Sequence, residues 1–551
     1  MNPRPRSTIS RQTWGKLIAL ALFAVIFFAP TPADLAPAGQ RLLAVTALMG
    51  VLWFTQSIPI AVTSLIPLAA YPWLGIQTSE TVSSGYVNSN VFLFIGGFLI
   101  ALGIEKWGLH RRIAFVMVSV VGNGPRQIVL GFMLASGFLS MWLSNTASTL
   151  LMLPIGIALL KTISDLQADP DVSIDTKIVS REFAENPALR FFGESLFIGI
   201  AYAASIGGFT TLVGTPTNIA FQQIWRGQFP DAPALSSAEW MMLFVPMGFV
   251  LLLCAWGLLV WKMPSLPHID KFDRRYFRHR LKALGKPSRA ECWMLFIFTT
   301  TAAMWIFRKP LVLGTEPILP GWGDMVTRYL LAWGVEDSIA SKAVDDSTVA
   351  MTMALLMFFI PVQRDGTGKM QYLFDWKTAE KLPWDVILLI GGGFAVANAF
   401  RDTRLSEWVG MLFAQGLSGW PVWGVVVLVT AALIFLTEFT TNVATVNATL
   451  PVLAGVAMTA GWDPRLIMIP AAIAASCAFM LPTGTPPNAI VFGSGFVRME
   501  RMLKVGMLLN LIAIVLISLT TMYWMIPRLG IDPTHPPEWG RNSQESREVE
   551  G

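Results

Sequence analysis

The stretch Met141-Trp142-Leu143-Ser144-Asn145-Thr146-Ala147 sets a polar tip between two apolar runs, Ile128–Leu143 and Ala147–Leu160. The chain does this twice. The second copy reads Thr437-Glu438-Phe439-Thr440-Thr441-Asn442-Val443-Ala444, between Val422–Leu436 and Val443–Met458. Each flanking run is short for a full crossing. The expected form is therefore a helix that enters the membrane, breaks at the tip and returns on the side it came from.

More of the pattern recurs on either side of the tips. An apolar run ending in glycines precedes each tip, at Phe92–Phe98 and Ile387–Phe394, and a hydroxyl residue stands at Ser140 and at Thr437. A Leu-Pro pair follows each tip, its proline nine residues past the asparagine in both copies. Downstream, Gly214-Thr215-Pro216-Thr217-Asn218 is answered by Gly484-Thr485-Pro486-Pro487-Asn488. The copies lie 297 residues apart at the tips and 270 apart at the Gly-Thr-Pro elements. That difference of 27 matches the polar loop Lys161–Arg190, which the second copy lacks. Several short strings in one order at nearly constant spacing read as an internal duplication.

Composition sets the class. Of 551 residues, 54% are hydrophobic and only 14% charged, with a mean hydropathy of +0.56. A soluble chain would be about a quarter charged. Runs such as Trp240–Leu259 and Met502–Met525 have about the 20 residues a helix needs to cross the hydrocarbon. The reading is an all-α polytopic membrane protein. The first apolar run, Leu17–Pro30, resembles a signal peptide in its basic start, but another apolar stretch begins at Leu42, so it reads as an uncleaved span. Positive charge collects at the N-terminus and over Lys262–Arg289, which places both in the cytoplasm. The tail after Pro527 carries three arginines against five acids and suits the outside. The chain then divides into a cytoplasmic N-terminus with the first span (1–39), a first repeat (40–262), a basic loop (263–289), a second repeat (290–527) and a polar tail (528–551). The net charge of +5 reads as loop bias, with no nucleic-acid partner. Cys254, Cys292 and Cys477 are scattered and form neither a disulfide nor a metal framework.

The polar interruptions carry the chemistry. A broken helix frees amides at the start of its second half, which favour an anion, and carbonyls at the end of its first half, which favour a bare cation. Ser144, Asn145, Thr146, Thr441 and Asn442 add neutral hydrogen-bonding groups, and no lysine or arginine falls in any of the four interruptions. Charge neutralisation must then come from helix ends and bound cations, which points to coupled uptake of an anion with a cation. A single such site could merely cap or pack helices; four in duplicated register argue otherwise. Among intramembrane acids, Glu194 is a candidate by default. Glu438 could tune the second tip, while Glu105 and Asp385 read as interface anchors. The four histidines form no ligand spacing, and Asn447-Ala448-Thr449 lies in an apolar run where a glycosylation sequon has no meaning. Neither a His-Glu-x-x-His pair nor a Gly-x-Ser-x-Gly elbow occurs, so an intramembrane enzyme is not the reading. Broken helices at paired sites fit alternating access better than a channel.

These strings, together with Cys477-Ala478-Phe479-Met480-Leu481-Pro482-Thr483-Gly484-Thr485-Pro486-Pro487-Asn488, resemble the divalent anion/sodium symporter family over roughly residues 40–525. The resemblance implies about 11 spans and two re-entrant hairpins in two inverted repeats, with a transport domain that moves like an elevator against a scaffold domain in a homodimer. It implies bacterial inner-membrane placement and import of a C4-dicarboxylate with Na+. A sodium-independent exchanger and a sulfate or citrate symporter are the alternatives. By motif, one sodium site would use Ser140, Ser144, Asn145 and Gly214, and the other Thr437, Thr440, Asn442 and Gly484. The divalent anion would touch Ser144, Asn145, Thr146, Thr215, Thr441, Asn442, Thr485 and Pro486. One departure is visible: Val443 stands where the usual Ser-Asn-Thr tip has threonine.

Overall fold

The computed structural model describes residues 11–539, apart from 33, 88, 122–123, 166–185, 234, 265–280, 314–315, 342, 365–367, 418 and 534. Most of the loop expected between the first tip and the first Gly-Thr-Pro element lies outside the described residues. So do most of the basic central loop and the end of the tail.

Both tips are helical reversals. Pro125–Ser140 leads into the first tip and Asn145–Asp165 leaves it; Val422–Thr437 and Asn442–Thr459 do the same at the second. Three of these four boundaries match at the 297-residue offset, so the duplication seen in the sequence is also a duplication of the helix ends around the tips. Four-residue turns join the arms. In the first hairpin Ser148 Oγ donates to the Ser136 carbonyl at 2.8 Å across the arms. Each Gly-Thr-Pro element likewise splits a helix. Pro187–Phe209 stops and Pro216–Gln228 resumes; Arg465–Ala474 stops and Pro486–Gly493 resumes. The proline at the restart has no N–H to offer and a φ suited to the first helical turn, so it fixes where the second half begins.

The two copies are interleaved. Ser89–Lys106 of the first packs on Asp346–Leu356 and Arg289–Ile306 of the second, while Trp384–Asp402 of the second packs on Ile60–Ser64 and Ser79–Tyr86 of the first. The paired glycines permit this. A Cβ on Gly96 would sit 2.7 Å from that of Ala350, and one on Gly392 would sit 2.5 Å from the Ser64 carbonyl oxygen. Only glycine allows backbones so close.

Two hydrophobic cores result. The larger joins the hairpins, the broken helices and Ser237–Val260. The smaller is built on Ser89–Lys106, Arg289–Ile306 and Asp346–Leu356. A polar seam crosses between them. Asp346 Oδ2 accepts from Ser237 N at 3.0 Å and from Ser237 Oγ at 2.7 Å, and Arg308 Nε reaches Asp346 Oδ1 at 2.6 Å.

Among the described residues, seven helices are long and apolar enough to cross a membrane. The expectation of an all-α chain needs correcting. Leu311–Leu313 pairs with Glu316–Leu319, and Pro361–Arg364 with Met370–Tyr372, as two short antiparallel ribbons. Both lie in connections where Pro310, Pro317 and Pro361 deny a helix its backbone donors, so the chain turns back on itself instead. The protein is mostly helical rather than wholly so.

Candidate functional site

Each tip asparagine opens the second arm of its hairpin, and the hydroxyl residue five positions before it bonds its side chain. Ser140 Oγ donates to Asn145 Oδ1 at 2.8 Å, and Thr437 Oγ1 lies 3.0 Å from Asn442 Oδ1. The flanking residues differ. Ser144 Oγ accepts from Ala147 N at 3.2 Å and so caps the helix. Thr441 Oγ1 caps nothing and has no partner among the described residues, although it is shielded from solvent. An unpaired buried hydroxyl costs free energy, so a hydrogen-bonding group brought against it would be favoured.

Behind the second tip, oxygens converge. The Asn442 side-chain atom nearest the broken helix lies 3.2 Å from the carbonyl oxygens of both Ala475 and Gly484 and 3.0 Å from Thr437 Oγ1. Thr437 Oγ1 also lies 2.8 Å from the Ala475 carbonyl. If the amide nitrogen occupies this point, it donates to its neighbours. If the amide oxygen does, carbonyl acceptors face it, and a cation or a hydrogen-bond donor between them would satisfy them. The side chain can turn between the two, and a set of neutral oxygens suits a hard monovalent ion. Behind the first tip the equivalent carbonyls crowd Gly214 and Gly208. A Cβ on Gly214 would stand 2.5 Å from the Gly208 carbonyl oxygen and 2.7 Å from that of Ser140, while one on Gly208 would collide with Asn145 Oδ1.

The unwound segments are held by their own asparagines. Asn218 Nδ2 donates to the carbonyls of Phe209 at 3.0 Å and Thr211 at 2.7 Å; Asn488 Nδ2 donates to those of Ala478 at 3.0 Å and Leu481 at 3.1 Å. The last residue of each Gly-Thr-Pro-x-Asn string is thus a staple. Prolines at 216, 486 and 487 remove amides that a broken helix would otherwise offer to an anion. The free amides come instead from the second arms of the hairpins, at Asn145 and Asn442.

Glu438, placed by the sequence beside the second tip, is bonded to the second broken helix. It is 1% exposed. Its Oε1 accepts from Phe479 N, Met480 N and Asn510 Nδ2, each at 2.8 Å, and its Oε2 accepts from Leu481 N at 2.9 Å. Three successive amides of the second unwound segment are tied to one carboxylate beside the second tip. In the first copy the matching position is Met141, whose carbonyl accepts from Thr211 Oγ1 at 2.5 Å. The copies solve the same problem with different chemistry, so the repeat pattern gave no warning of it.

A cavity of about 1250 Å³ brings the tips together. Ser144, Asn145, Thr146, Thr215, Thr441, Asn442, Thr485 and Pro486 all line it, with Gly484. Ser140, Gly214, Thr437 and Thr440 lie behind that surface. Thr440 turns away from the oxygen cluster, its hydroxyl meeting the Leu436 carbonyl at 3.3 Å and Thr445 Oγ1. Val443 and its counterpart in the first tip, Thr146, both line the cavity. Asp385, read from the sequence as an interface anchor, also lines the cavity. Backbone carbonyls of Ala475 and Gly208 join the clusters unannounced, because a carbonyl belongs to every residue alike.

The family model for the sodium:sulfate symporter transmembrane region matches residues 10–529. The chain is 36% identical over 534 residues to the sodium-dependent dicarboxylate transporter SdcS of Staphylococcus saprophyticus, across 95% of this chain and 93% of that one. Against the protein of the same name from Staphylococcus aureus it is 37% identical over 531 residues, across 95% and 94%. Among solved structures, the YdaH transporter of Alcanivorax borkumensis aligns over 93% of this chain and 97% of its own, at 12% identity and a TM-score of 0.48.

Proposed function

The chain belongs to the sodium:sulfate symporter family of membrane transporters, and from that premise we propose that it is a secondary active transporter importing a C4-dicarboxylate, of the succinate, malate or fumarate type, together with sodium. The observation that carries this reading is the acceptor-rich cluster at Asn442, set directly behind a cavity floored by both tips. A neutral site can hold a dianion only when positive charge is supplied, and bound sodium supplies it.

In this reading Ser140, Ser144, Asn145 and Gly214 hold one ion, and Thr437, Thr440, Asn442 and Gly484 hold the other, Thr440 through its backbone because its hydroxyl is engaged elsewhere. Carboxylates meet Ser144, Asn145, Thr146, Thr441 and Asn442, with Thr215, Thr485 and Pro486 closing the far side. Thr441 Oγ1 donates to the anion, and Asn145 and Asn442 face cation and anion at once. Alternating access follows from the two cores, the hairpin-bearing body moving like an elevator against the smaller scaffold in a homodimer with about 11 crossings and inverted repeats. The N-terminus lies in the cytoplasm and the C-terminus outside, across a bacterial inner membrane. The staphylococcal relatives' description as sodium-dependent dicarboxylate transporters favours a dicarboxylate over sulfate or citrate.

Uptake of labelled succinate by proteoliposomes, with and without an inward sodium gradient, is the test. Sodium-driven accumulation is expected. Uptake indifferent to sodium yet stimulated by internal dicarboxylate would make the protein an exchanger, and competition by sulfate or citrate alone would change its substrate.

A further inference from the structure

The cavity that both tips floor opens toward the cytoplasm. Beyond the tips it is lined by Gln12, Lys16, Gln56 and Asp385, all exposed. The first three stand at the ends of Arg11–Phe28 and Pro37–Thr55 that the basic N-terminus holds inside. On the opposite side the two bodies meet. Val260 runs into the basic loop, so Ser237, at the other end of that span, lies at the outer face, as does Arg308 beyond Arg289–Ile306. There Ser237 N and Ser237 Oγ donate to Asp346 Oδ2 at 3.0 and 2.7 Å, and Lys309 Nζ lies 3.2 Å from Glu239 Oε2. Arg226 Nη1 adds a bond to Ser89 Oγ at 3.2 Å. The first tip is seated on the same wall. The Trp142 ring stands edge-on to Phe298 at 5.0 Å and stacks on Trp305 at 6.3 Å, and Trp305 Nε1 donates to the Asp346 carbonyl at 3.0 Å. Trp142 Nε1 is buried there without a partner among the described residues, so the seat is one that the tip can leave.

We propose that the Ser237–Asp346 contact, with the Lys309–Glu239 pair beside it, is an outer latch that holds the inward-open conformation and breaks in every transport cycle, a proposal that rests on the alternating-access reading above. Ser237–Val260 packs in the larger core with the hairpins, and Asp346–Leu356 in the smaller one. Arg308 Nε stays 2.6 Å from Asp346 Oδ1 on the scaffold side, so the acid keeps its place when Ser237 departs. Hydrogen bonds are lost beyond about 3.5 Å, and a shift of the body by a few ångströms therefore releases both Ser237 donors together. Because the latch forms on one side of the cycle only, it sets how much of the protein faces inward. A site that faces outward only part of the time has its apparent affinity for outside anion lowered by that fraction.

The experiment is sodium-driven succinate uptake by intact cells expressing the protein, where the outer side is defined. Ser237→Ala removes one donor and Ser237→Pro removes both. Proline suits the first position of a helix, and Ser236 before it is already extended, at φ −76° and ψ 161°. The KM for external succinate is expected to fall by up to about tenfold in Ser237→Ala and further in Ser237→Pro. A KM unchanged or raised in Ser237→Ala overturns the proposal, since a merely structural bond lowers the amount of folded protein without improving capture. That variant decides alone should the proline form fail to reach the membrane. A carbodiimide can also join Glu239 to Lys309 through an amide bond. Coupling is expected to arrest uptake in the parent, while Lys309→Arg, whose guanidinium is not coupled, keeps its uptake under the same treatment. Full coupling of the two residues, read by mass spectrometry, with uptake undiminished would overturn the latch and leave the transporter reading standing. Protein that moves no divalent anion before treatment sinks both.

Discussion

Glu438 Oε1 stands 2.8 Å from the backbone nitrogen of Phe479, and that bond joins the turn of the second hairpin to the middle of the second broken helix. With the bonds to Met480 N, Leu481 N and Asn510 Nδ2, it sets the position of a segment whose two ends supply the carbonyls of Ala475 and Gly484. The carboxylate therefore shapes the oxygen cluster behind the second tip without belonging to it.

Glu438→Gln is expected to keep one acceptor oxygen and turn an amide against a backbone donor. A buried donor left without a partner costs about 1–3 kcal/mol. The loosened segment should raise the sodium concentration giving half-maximal succinate uptake several-fold, with a smaller change in the succinate KM. Sodium activation that is unchanged in folded protein would reduce Glu438 to a packing residue.

The glycines behind the first tip make a sharper comparison. Gly208→Ala would push a methyl group into Asn145 Oδ1, and Gly214→Ala would push one against two carbonyls. Both variants should lose sodium-dependent succinate binding. Gly257→Ala meets nothing within 4 Å in the Ser237–Val260 helix and should gain up to about 1 kcal/mol of helix stability instead. Thermal unfolding separates the outcomes, since a Gly214→Ala protein that melts normally but ignores sodium places the damage at the site.

Asn145→Ala and Asn442→Ala should each abolish sodium-dependent binding, because each asparagine meets the oxygens behind its tip and lines the cavity in front of it. Equilibrium binding of labelled succinate at saturating sodium is the measurement. Parent-like binding in either variant would remove that tip from the site.

How much of this was legible beforehand depended on what each group costs in an apolar run. Ser144, Asn145, Thr441 and Asn442 stood out because polar side chains at membrane depth are expensive and these recur in register. The helix breaks stood out because proline and glycine cannot continue a helix quietly. The role of Asn218 and Asn488 as staples was hidden inside a legible motif, since spacing gives their positions but not their partners. The carbonyls of Ala475 and Gly208 left no mark, being common to every residue. Lys16 read as part of a basic N-terminus. Only the docking of Gly15 on Thr55 and Ser57, far along the chain, turns it toward the cavity. The two β-ribbons were missed because three- and four-residue strands carry too little pattern to be told from loop.

Val443→Thr should shift substrate preference with little effect on expression. Val443 lines the cavity beside Asn442, and Thr146 at the matching point of the first tip presents a hydroxyl. Restoring the hydroxyl adds a donor on one side of the anion, worth about 0.5–1.5 kcal/mol to a ligand that can use it. Competition by succinate, citrate and sulfate against labelled succinate reads the change. An unaltered ranking would leave Val443 as packing.

Glu194 lies in the helix Pro187–Phe209 and is fully buried, yet it faces two arginines from the far end of the chain. Arg498 Nε reaches its Oε1 at 2.5 Å, and Arg501 Nη1 reaches its Oε2 at 3.1 Å while Arg501 Nη2 donates to Ser195 Oγ at 2.6 Å. The two arginines are not equivalent, for the Arg498 side chain is 55% exposed and that of Arg501 only 11%. Removing the acid strands a buried guanidinium, which typically costs about 3–5 kcal/mol, whereas a water-facing partner contributes about 0–1 kcal/mol. Glu194→Gln should therefore lower the unfolding temperature in detergent far more than Arg498→Gln, and Arg501→Gln should fall between them because Arg498 still reaches both oxygens of Glu194. This cluster lies outside the cavity, so protein of either kind that survives should keep its sodium dependence. If Arg498→Gln proves as damaging as Glu194→Gln, the exposed arginine is the true counter-ion and the burial argument fails.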